Sequence, residues 1–275
     1  MPELPEVETV VGDLRPLLAG RRFETVKLLL PRLVRYPRPA AFVRGLMGAQ
    51  IESVTRRGKY IIAALAGSDK RFVVHLGMTG HLRVWERAEP VAKHTHLRIA
   101  LDDGRELRYD DQRQFGRFLL GTEEELKAAR VFPRLGPEPI GDSLTEAGFQ
   151  ALIRRRHRPL KSALLDQSFL AGLGNIYADE ACFVARVRPT RKTDRLAVRE
   201  RQALFGAIGA VLSQAIAARG SSVANYVDAF GVAGRNQKTL QVYGRAGRPC
   251  VRCGTPLKSL RLAGRTTVYC PQCQH

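Results

Sequence analysis

The chain has 275 residues, 44% of them hydrophobic, which is enough to bury two modest cores. Its 45 Lys and Arg against 26 Asp and Glu give a formal charge of +19, which favours a polyanionic partner, nucleic acid ahead of a membrane surface. No apolar run reaches the roughly 18 residues of a membrane span and the start lacks a secretory signal, so the expected setting is cytoplasmic.

The chain opens Met1-Pro2-Glu3-Leu4-Pro5-Glu6-Val7-Glu8. Methionine ahead of proline is commonly removed in cells, which leaves Pro2 with a free secondary amine. Such an amine has an ordinary pKa of about 8, lowered further by the positive end of a helix, and is a usable nucleophile. Glu3 beside it is suited to moving protons. Taken alone, the same residues also read as helix capping, with proline fitting the first turn and acids complementing the dipole. The helix itself follows from Leu4, Val7, Val11 and Leu14 on one face, and Pro16 is expected to end or kink it.

Strands are predicted over 22–30, 50–65, 71–85 and 97–109, where apolar and polar residues alternate; Asp102-Asp103-Gly104 supplies a hairpin turn. A Pro/Gly-rich passage, Pro133-Arg134-Leu135-Gly136-Pro137-Glu138-Pro139-Ile140-Gly141, marks the domain boundary. The chain is thus an α+β multidomain protein: a strand-rich domain over 1–135, a helical domain over 136–236 and a terminal module over 237–275. Helices are expected over 144–155, 160–169, 175–184 and 196–218, followed by a polar loop over 220–238 that opens Gly220-Ser221-Ser222. Cys182 falls in an apolar helical stretch and reads as a buried core thiol. His94 and His96 alternate on a strand and read as surface polar residues with no second metal, although His94 is also kept as a candidate nucleic-acid contact. Arg154-Arg155-Arg156-His157-Arg158 is either a phosphate-contacting patch or a solvated helix end.

Cys250-x2-Cys253, sixteen intervening residues, then Cys270-x2-Cys273 has the spacing of a tetrahedral zinc site. In a cytosolic chain, paired cysteines mean metal rather than disulfides. From residue 229 to the end there is no Asp or Glu, while Arg235, Lys238, Arg245, Arg248, Arg252, Lys258, Arg261 and Arg265 are all positive. One structural zinc on a one-sign surface again points to a polyanion, with no small-molecule cofactor; a monomer is the default.

Read together, the opening segment, Arg57-Gly58-Lys59-Tyr60, His75-Leu76-Gly77-Met78-Thr79-Gly80, Asp111-Gln112-Arg113-Gln114-Phe115-Gly116, Gly172-Leu173-Gly174-Asn175-Ile176-Tyr177-Ala178-Asp179-Glu180, Val242-Tyr243-Gly244-Arg245 and the cysteine quartet resemble formamidopyrimidine-DNA glycosylase, a bacterial base-excision family, over nearly the full length. The resemblance implies a two-layer β-sandwich with a flanking N-terminal helix, a helix-two-turns-helix domain and a zinc-finger hairpin. It also implies damaged double-stranded DNA as the partner, in a nucleoid-associated setting. Pro2 would attack the anomeric carbon beneath an oxidised purine, Glu3 would serve as general acid/base, Glu6 would organise the site, and Lys59 would contact phosphate and assist. β- and then δ-elimination would follow base release. Met78, Arg113 and Phe115 would fill the duplex where the lesion is extruded, Arg113 bonding the orphaned cytosine. Lys161 and Asn175 would hold DNA, and Arg265, counted with the catalytic set, would reach the phosphate flanking the lesion from the zinc-finger hairpin. Gln112 and Gln114 replace members of the family pattern Asp-Pro-Arg-Arg-Phe-Gly, and in the loop from Ser221 to Lys238, which in relatives covers the extruded base, the stretch over 231–237 lacks the aromatic often found before its final turn. The alternatives are an endonuclease VIII-type enzyme for oxidised pyrimidines, disfavoured by Leu4, and a non-catalytic zinc-ribbon DNA-binding protein, disfavoured by the retention of Pro2, Glu3 and Lys59.

Overall fold

The structure, a computed structural model, describes residues 1–275 and divides into two compact units. The first comprises Met1–Pro133 together with Arg219–Gly234. Its elements are α1 (Leu4–Leu18), β1 (Phe23–Leu28), β2 (Val34–Tyr36), α2 (Pro39–Leu46), β3 (Ile51–Arg57), β4 (Tyr60–Leu65), β5 (Arg71–His75), β6 (Gly80–Glu86), β7 (Thr95–Leu101), β8 (Arg105–Asp111), β9 (Arg117–Gly121) and α3 (Glu123–Ala128). The strands form a four-stranded sheet, β1-β7-β8-β6, and a five-stranded sheet, β2-β9-β5-β4-β3, antiparallel throughout except for the β2/β9 pair. Val7, Val11 and Leu14 of α1 share one apolar core with Phe23, Ile99 and Leu107 of the first sheet and Ile61, Phe72, Val74 and Phe118 of the second. On β6, Leu82 and Val84 turn to that core and alternate with the half-buried His81 and Arg83, which is what the alternating sequence encodes.

Three expectations change here. The predicted strands over 50–65 and 71–85 are each two strands, with turns at Gly58-Lys59 and at residues 76–79. Pro16 does not end α1, which runs on to Leu18; Pro16 lies in the exposed last turn, where a missing N–H is cheapest because the facing Gly12 is open to solvent. His96 is buried, not superficial.

The second unit comprises Arg134–Ala218 and Arg235–His275. It holds α4 (Glu146–Arg154), α5 (Leu160–Leu164), α6 (Asn175–Val184), α7 (Val198–Ala217) and a hairpin of β10 (Lys258–Leu262) and β11 (Arg265–Tyr269). Thr145 caps α4 by accepting the Gly148 N–H at 3.1 Å. α6 is buried on nearly every face, Cys182 included, which makes it the centre of the unit, with α7 packed against it. The helix expected over 160–169 stops at Leu164, and the one expected over 196–218 begins at Val198 after a short 3-10 turn. The loop expected to belong with the helical domain clusters with the strand-rich unit instead, because its contacts are to α1. No helix is long and apolar enough to cross a membrane.

Candidate active site and nucleic-acid interface

α1 begins immediately after Glu3, so its N-terminal dipole is aimed at the first residues of the chain. Glu6 is buried and uses both carboxylate oxygens: Oε2 accepts the Glu3 N–H and Oε1 accepts the Ser221 N–H, each at 2.8 Å. Glu6 therefore joins the chain start to the segment Arg219–Gly234. Pro2 and Glu3 are buried beside it. Burial pushes the pKa of the Met1 terminal amine, one residue ahead of Pro2, down; the Glu3 and Glu6 carboxylates oppose this, and the positive charges of Lys59 and Arg113 add to it. The same interactions place Lys59 and Arg113 within electrostatic reach of the amine.

Lys59 sits in the tight β3–β4 turn, where Gly58 takes a φ of +57° that a side chain would strain. The turn is tied to α1 through Arg56, whose Nε donates to Glu8 Oε2 at 2.7 Å and whose Nη1 donates to the Gly58 carbonyl at 3.0 Å. Lys59 is buried, so its ammonium belongs to the site and not to an open basic edge. Nearby, His75 Nδ1 accepts the Gly77 N–H at 3.1 Å, and the His75 pKa is lowered to about 4 by burial and by the charges of Lys59 and Arg117.

Two turns carry exposed apolar and cationic side chains. Met78 lies on the turn between β5 and β6; Arg113 and Phe115 lie on the turn between β8 and β9, with the guanidinium 5.0 Å from the Phe115 ring centroid. Asp111 organises both. Its Oδ1 accepts from Thr79 Oγ1 at 2.6 Å and from the Arg113 N–H at 3.2 Å, while Oδ2 accepts from the Tyr109 hydroxyl at 3.0 Å and the Gly116 N–H at 2.9 Å. The Tyr109 hydroxyl also donates to the Leu76 carbonyl at 2.9 Å. A Cβ on Gly77 would stand 2.7 Å from the Gly116 nitrogen, and one on Gly116 would stand 1.8 Å from the Tyr109 oxygen, so the two turns touch through glycine backbones. Gln114, at φ +57°, takes the left-handed bend, and its amide oxygen accepts from Arg32. His94 and His96 bracket the backbone of the same residue: the His94 carbonyl accepts the Asp111 N–H, and a His96 ring nitrogen lies 2.8 Å from the Asp111 carbonyl. The His94 side chain is half-buried just ahead of β7.

In the second unit Asn175 is the first residue of α6, half-buried at the helix N-terminus after the turn at Gly172, whose φ is +93°. Lys161 requires a correction. Its side chain is fully buried, with Nζ 2.7 Å from Asp179 Oδ1 and donating to the Thr266 carbonyl at 2.9 Å, so it has no route to a phosphate. Asp179 Oδ2 accepts the Val268 N–H at 3.1 Å; burial raises the Asp179 pKa to about 6 against the pull of Lys161. Glu180 next to it accepts the N–H groups of Gln241, Val242 and Tyr243 at 2.8 to 2.9 Å. Consecutive acids of α6 thus hold the β10–β11 hairpin and the turn at residues 241–243 that precedes it. Asp111, Asp179 and Glu180 all stood inside recognisable motifs, but nothing local signals that Asp111 and Glu180 each serve several backbone N–H groups or that Asp179 joins the Val268 N–H to the Lys161 ammonium. The Arg154 to Arg158 run is exposed at the end of α4 and partly engaged, Arg158 with Asp166 at 3.3 Å and His157 with Asp194 at 3.4 Å.

Arg265 is exposed at the start of β11, beyond a two-residue turn in which Ala263 and Gly264 have φ of +48° and +71°. The four sulfurs of Cys250, Cys253, Cys270 and Cys273 lie within 4.8 Å of one another, with Cys250 and Cys273 4.0 Å apart and Cys253 and Cys270 3.5 Å apart. Tetrahedral Zn–S bonds of about 2.3 Å require sulfurs about 3.8 Å apart, so the quartet fits the ion. The Arg252 and Cys273 N–H groups point at sulfurs Cys250 and Cys270 at 3.4 and 3.3 Å, as bonds to thiolates do. Four thiolates leave no position for water, so one zinc held here is structural.

Residues 1–118 match the formamidopyrimidine-DNA glycosylase N-terminal domain, 135–227 its H2TH domain, and 247–275 the zinc finger found in FPG and IleRS. The chain is 45% identical over 275 residues to a formamidopyrimidine-DNA glycosylase of Herpetosiphon aurantiacus and 47% identical over 277 residues to one of Heliobacterium modesticaldum, with full coverage of both chains in each pair. Among solved structures it is similar to a Lactococcus lactis FPG mutant in complex with Fapy-dG-containing DNA, at TM-score 0.91 and 34% identity with both chains fully covered. It is also similar to MutM (FPG) protein from Thermus thermophilus, at TM-score 0.88 and 40% identity over 99% of this chain and 98% of that one. On the domain order, the cysteine quartet and the amine at the head of α1, the chain belongs to the formamidopyrimidine-DNA glycosylase family.

Proposed function

We propose that the protein is a bifunctional DNA glycosylase and AP lyase that removes oxidised purines, 8-oxoguanine and formamidopyrimidines, from duplex DNA. The observation that carries this reading is the head of α1, where Pro2, Glu3 and Glu6 are buried together, Glu6 ties the Glu3 N–H to Ser221, and Lys59 and Arg113 lie within electrostatic reach of the preceding Met1 amine. With Met1 removed, the Pro2 nitrogen attacks C1′, the glycosidic bond breaks and the base departs with the electron pair and a proton. Glu3 protonates the sugar oxygen, the ring opens, and a secondary amine can then only form a charged iminium. The iminium acidifies the C2′ proton; its loss expels the 3′ phosphate, and a second elimination expels the 5′ phosphate. Glu6 holds the Glu3 backbone while this occurs, and Lys59 faces the phosphate.

Met78 and Phe115 wedge into the stack vacated by the extruded nucleotide, and Arg113 bonds the orphaned cytosine. Asn175 at the α6 N-terminus and Arg265 on the hairpin hold phosphates, while His94 is at most an outlying contact. The division of labour follows the sequence boundaries: catalysis in 1–135, DNA holding in 136–236, and a zinc-stapled clamp in 237–275. The relatives crystallised with Fapy-dG, abasic-site and carbocyclic 8-oxo-G DNA support this substrate class. The working place is the bacterial cytoplasm, on nucleoid DNA, as a single chain.

Borohydride added during reaction with a duplex carrying 8-oxoguanine opposite cytosine should trap one covalent adduct, mapping to the N-terminal peptide. An adduct on a lysine, or none with Met-free protein, overturns the mechanism, and a faster reaction with an oxidised pyrimidine would move the chain to the endonuclease VIII branch.

A further inference from the structure

Glu6 and Asp13 are seven residues apart on α1, about two helical turns, so they share one face, and both grip the same segment, Arg219–Gly234. Asp13 takes the Arg219 Nη2 on both oxygens, at 2.8 and 2.7 Å, and accepts the Ala229 N–H at 3.3 Å. The other side of the same guanidinium meets Asp228, with Nε and Nη2 at 3.0 and 2.5 Å from Oδ2. Asp228 Oδ1 in turn accepts the N–H groups of Phe230 and Val232 at 3.0 and 2.8 Å, which fixes the bend of the loop. Arg219 adopts φ +60°, a conformation costly for any residue with a side chain, so the ion pairs are maintained against backbone strain. Both carboxylates are buried, and each faces only Arg219 as a cation.

We propose that the Asp13–Arg219–Asp228 latch is a positioning device: it registers the loop to α1, and therefore to the reacting amine at the head of that helix, and so controls release of a base without controlling the processing of a sugar that has already lost one. The inference rests on the reading that the loop covers the extruded base. The latch grips the loop at its first residue and at its far bend, while Glu6 grips Ser221 between them, so that both the entry and the return of the loop are referred to one rigid helix. An abasic sugar presents nothing for the loop to cover, and its aldehyde is open to the amine directly.

The test compares wild type, Asp13→Asn, Arg219→Gly and the double variant in single-turnover assays on two duplexes, one with 8-oxoguanine opposite cytosine and one with an abasic site. Glycine accepts φ +60°, so Arg219→Gly removes the charge while relieving strain, and its thermal midpoint should stay within a few degrees of wild type. Each single change should slow base release by about tenfold or more, since displacements of about 1 Å are that expensive, and leave abasic strand cleavage within about twofold. The double variant should lose no more than the worse single, because the two residues form one device. Equal losses on both substrates, or no loss on either, overturn the latch. Failure of wild type itself to form the N-terminal adduct would overturn the function on which it rests, a different result.

Discussion

At the residue scale, burial decides what each titratable group does. The His75 pKa of about 4 lies below its ordinary 6.5. Above pH 6.5 both folded and unfolded forms are neutral and the contribution is fully present; between 6.5 and 4 the unfolded chain takes up a proton that the folded one refuses, and stability is lost. The gap corresponds to roughly 3 kcal/mol, so the urea midpoint of the first unit should fall as pH drops through this window, and His75→Gln should flatten the profile. Lys161 and Asp179 make the opposite case. The pair adds little over an apolar substitute, but Asp179→Asn strands a fully buried ammonium and should cost about 3–5 kcal/mol, read as faster hydrogen exchange at the Val268 amide that Asp179 now holds. The motif around Asp179 was legible, and Lys161 was legible as basic. Its direction was not, since nothing in a sequence says that a lysine 18 positions upstream of an aspartate will be turned inward onto it.

At the element scale, the features carried by local pattern were readable: the face of α1, the Leu82 and Val84 alternation of β6, the Asp102 to Gly104 turn and the cysteine spacing. The short pieces were not. β2, α2, β9 and α3 escaped because an element as short as a three-residue strand or a six-residue helix offers fewer than two full periods of pattern. Contacts between distant positions escaped as well, Asp13 with Arg219 above all, because no spacing rule links them. Turn chemistry supplies a prediction: Ala263 occupies a left-handed position where asparagine is preferred, so Ala263→Asn should stabilise the hairpin by about 0.5–1 kcal/mol, seen as slower exchange of the β10–β11 amides. Asp111→Asn should do the reverse to the paired turns, since one amide group cannot accept four hydrogen bonds. Discrimination between damaged and intact duplex should fall with little change in zinc content, measured by competition binding.

At the scale of the whole molecule, charge and metal set the terms. With a formal charge of +19, affinity for duplex should drop steeply with salt, and Arg265→Ala should reduce the slope of log K against log salt by about one while leaving sequence preference alone. Removing zinc with a chelator should unfold the module around Cys250 and Cys270, whose small core of Phe183, Val242, Leu257 and Val268 has no other staple, and DNA binding should weaken with it.

One helix, α1, supports the rest of the first unit's chemistry at three points along its length: Glu6, Glu8 through Arg56, and Asp13. Deleting any single residue between them would turn the downstream part by about 100° and slide it by 1.5 Å, throwing the nucleophile, the lysine turn and the loop out of phase together. Point changes on the solvent side, such as Gly12→Ala, should be harmless, whereas a change of length by one should silence the enzyme although it removes none of the functional side chains. The number of residues from Glu6 to Asp13 therefore constrains the molecule more tightly than most of the side chains in between.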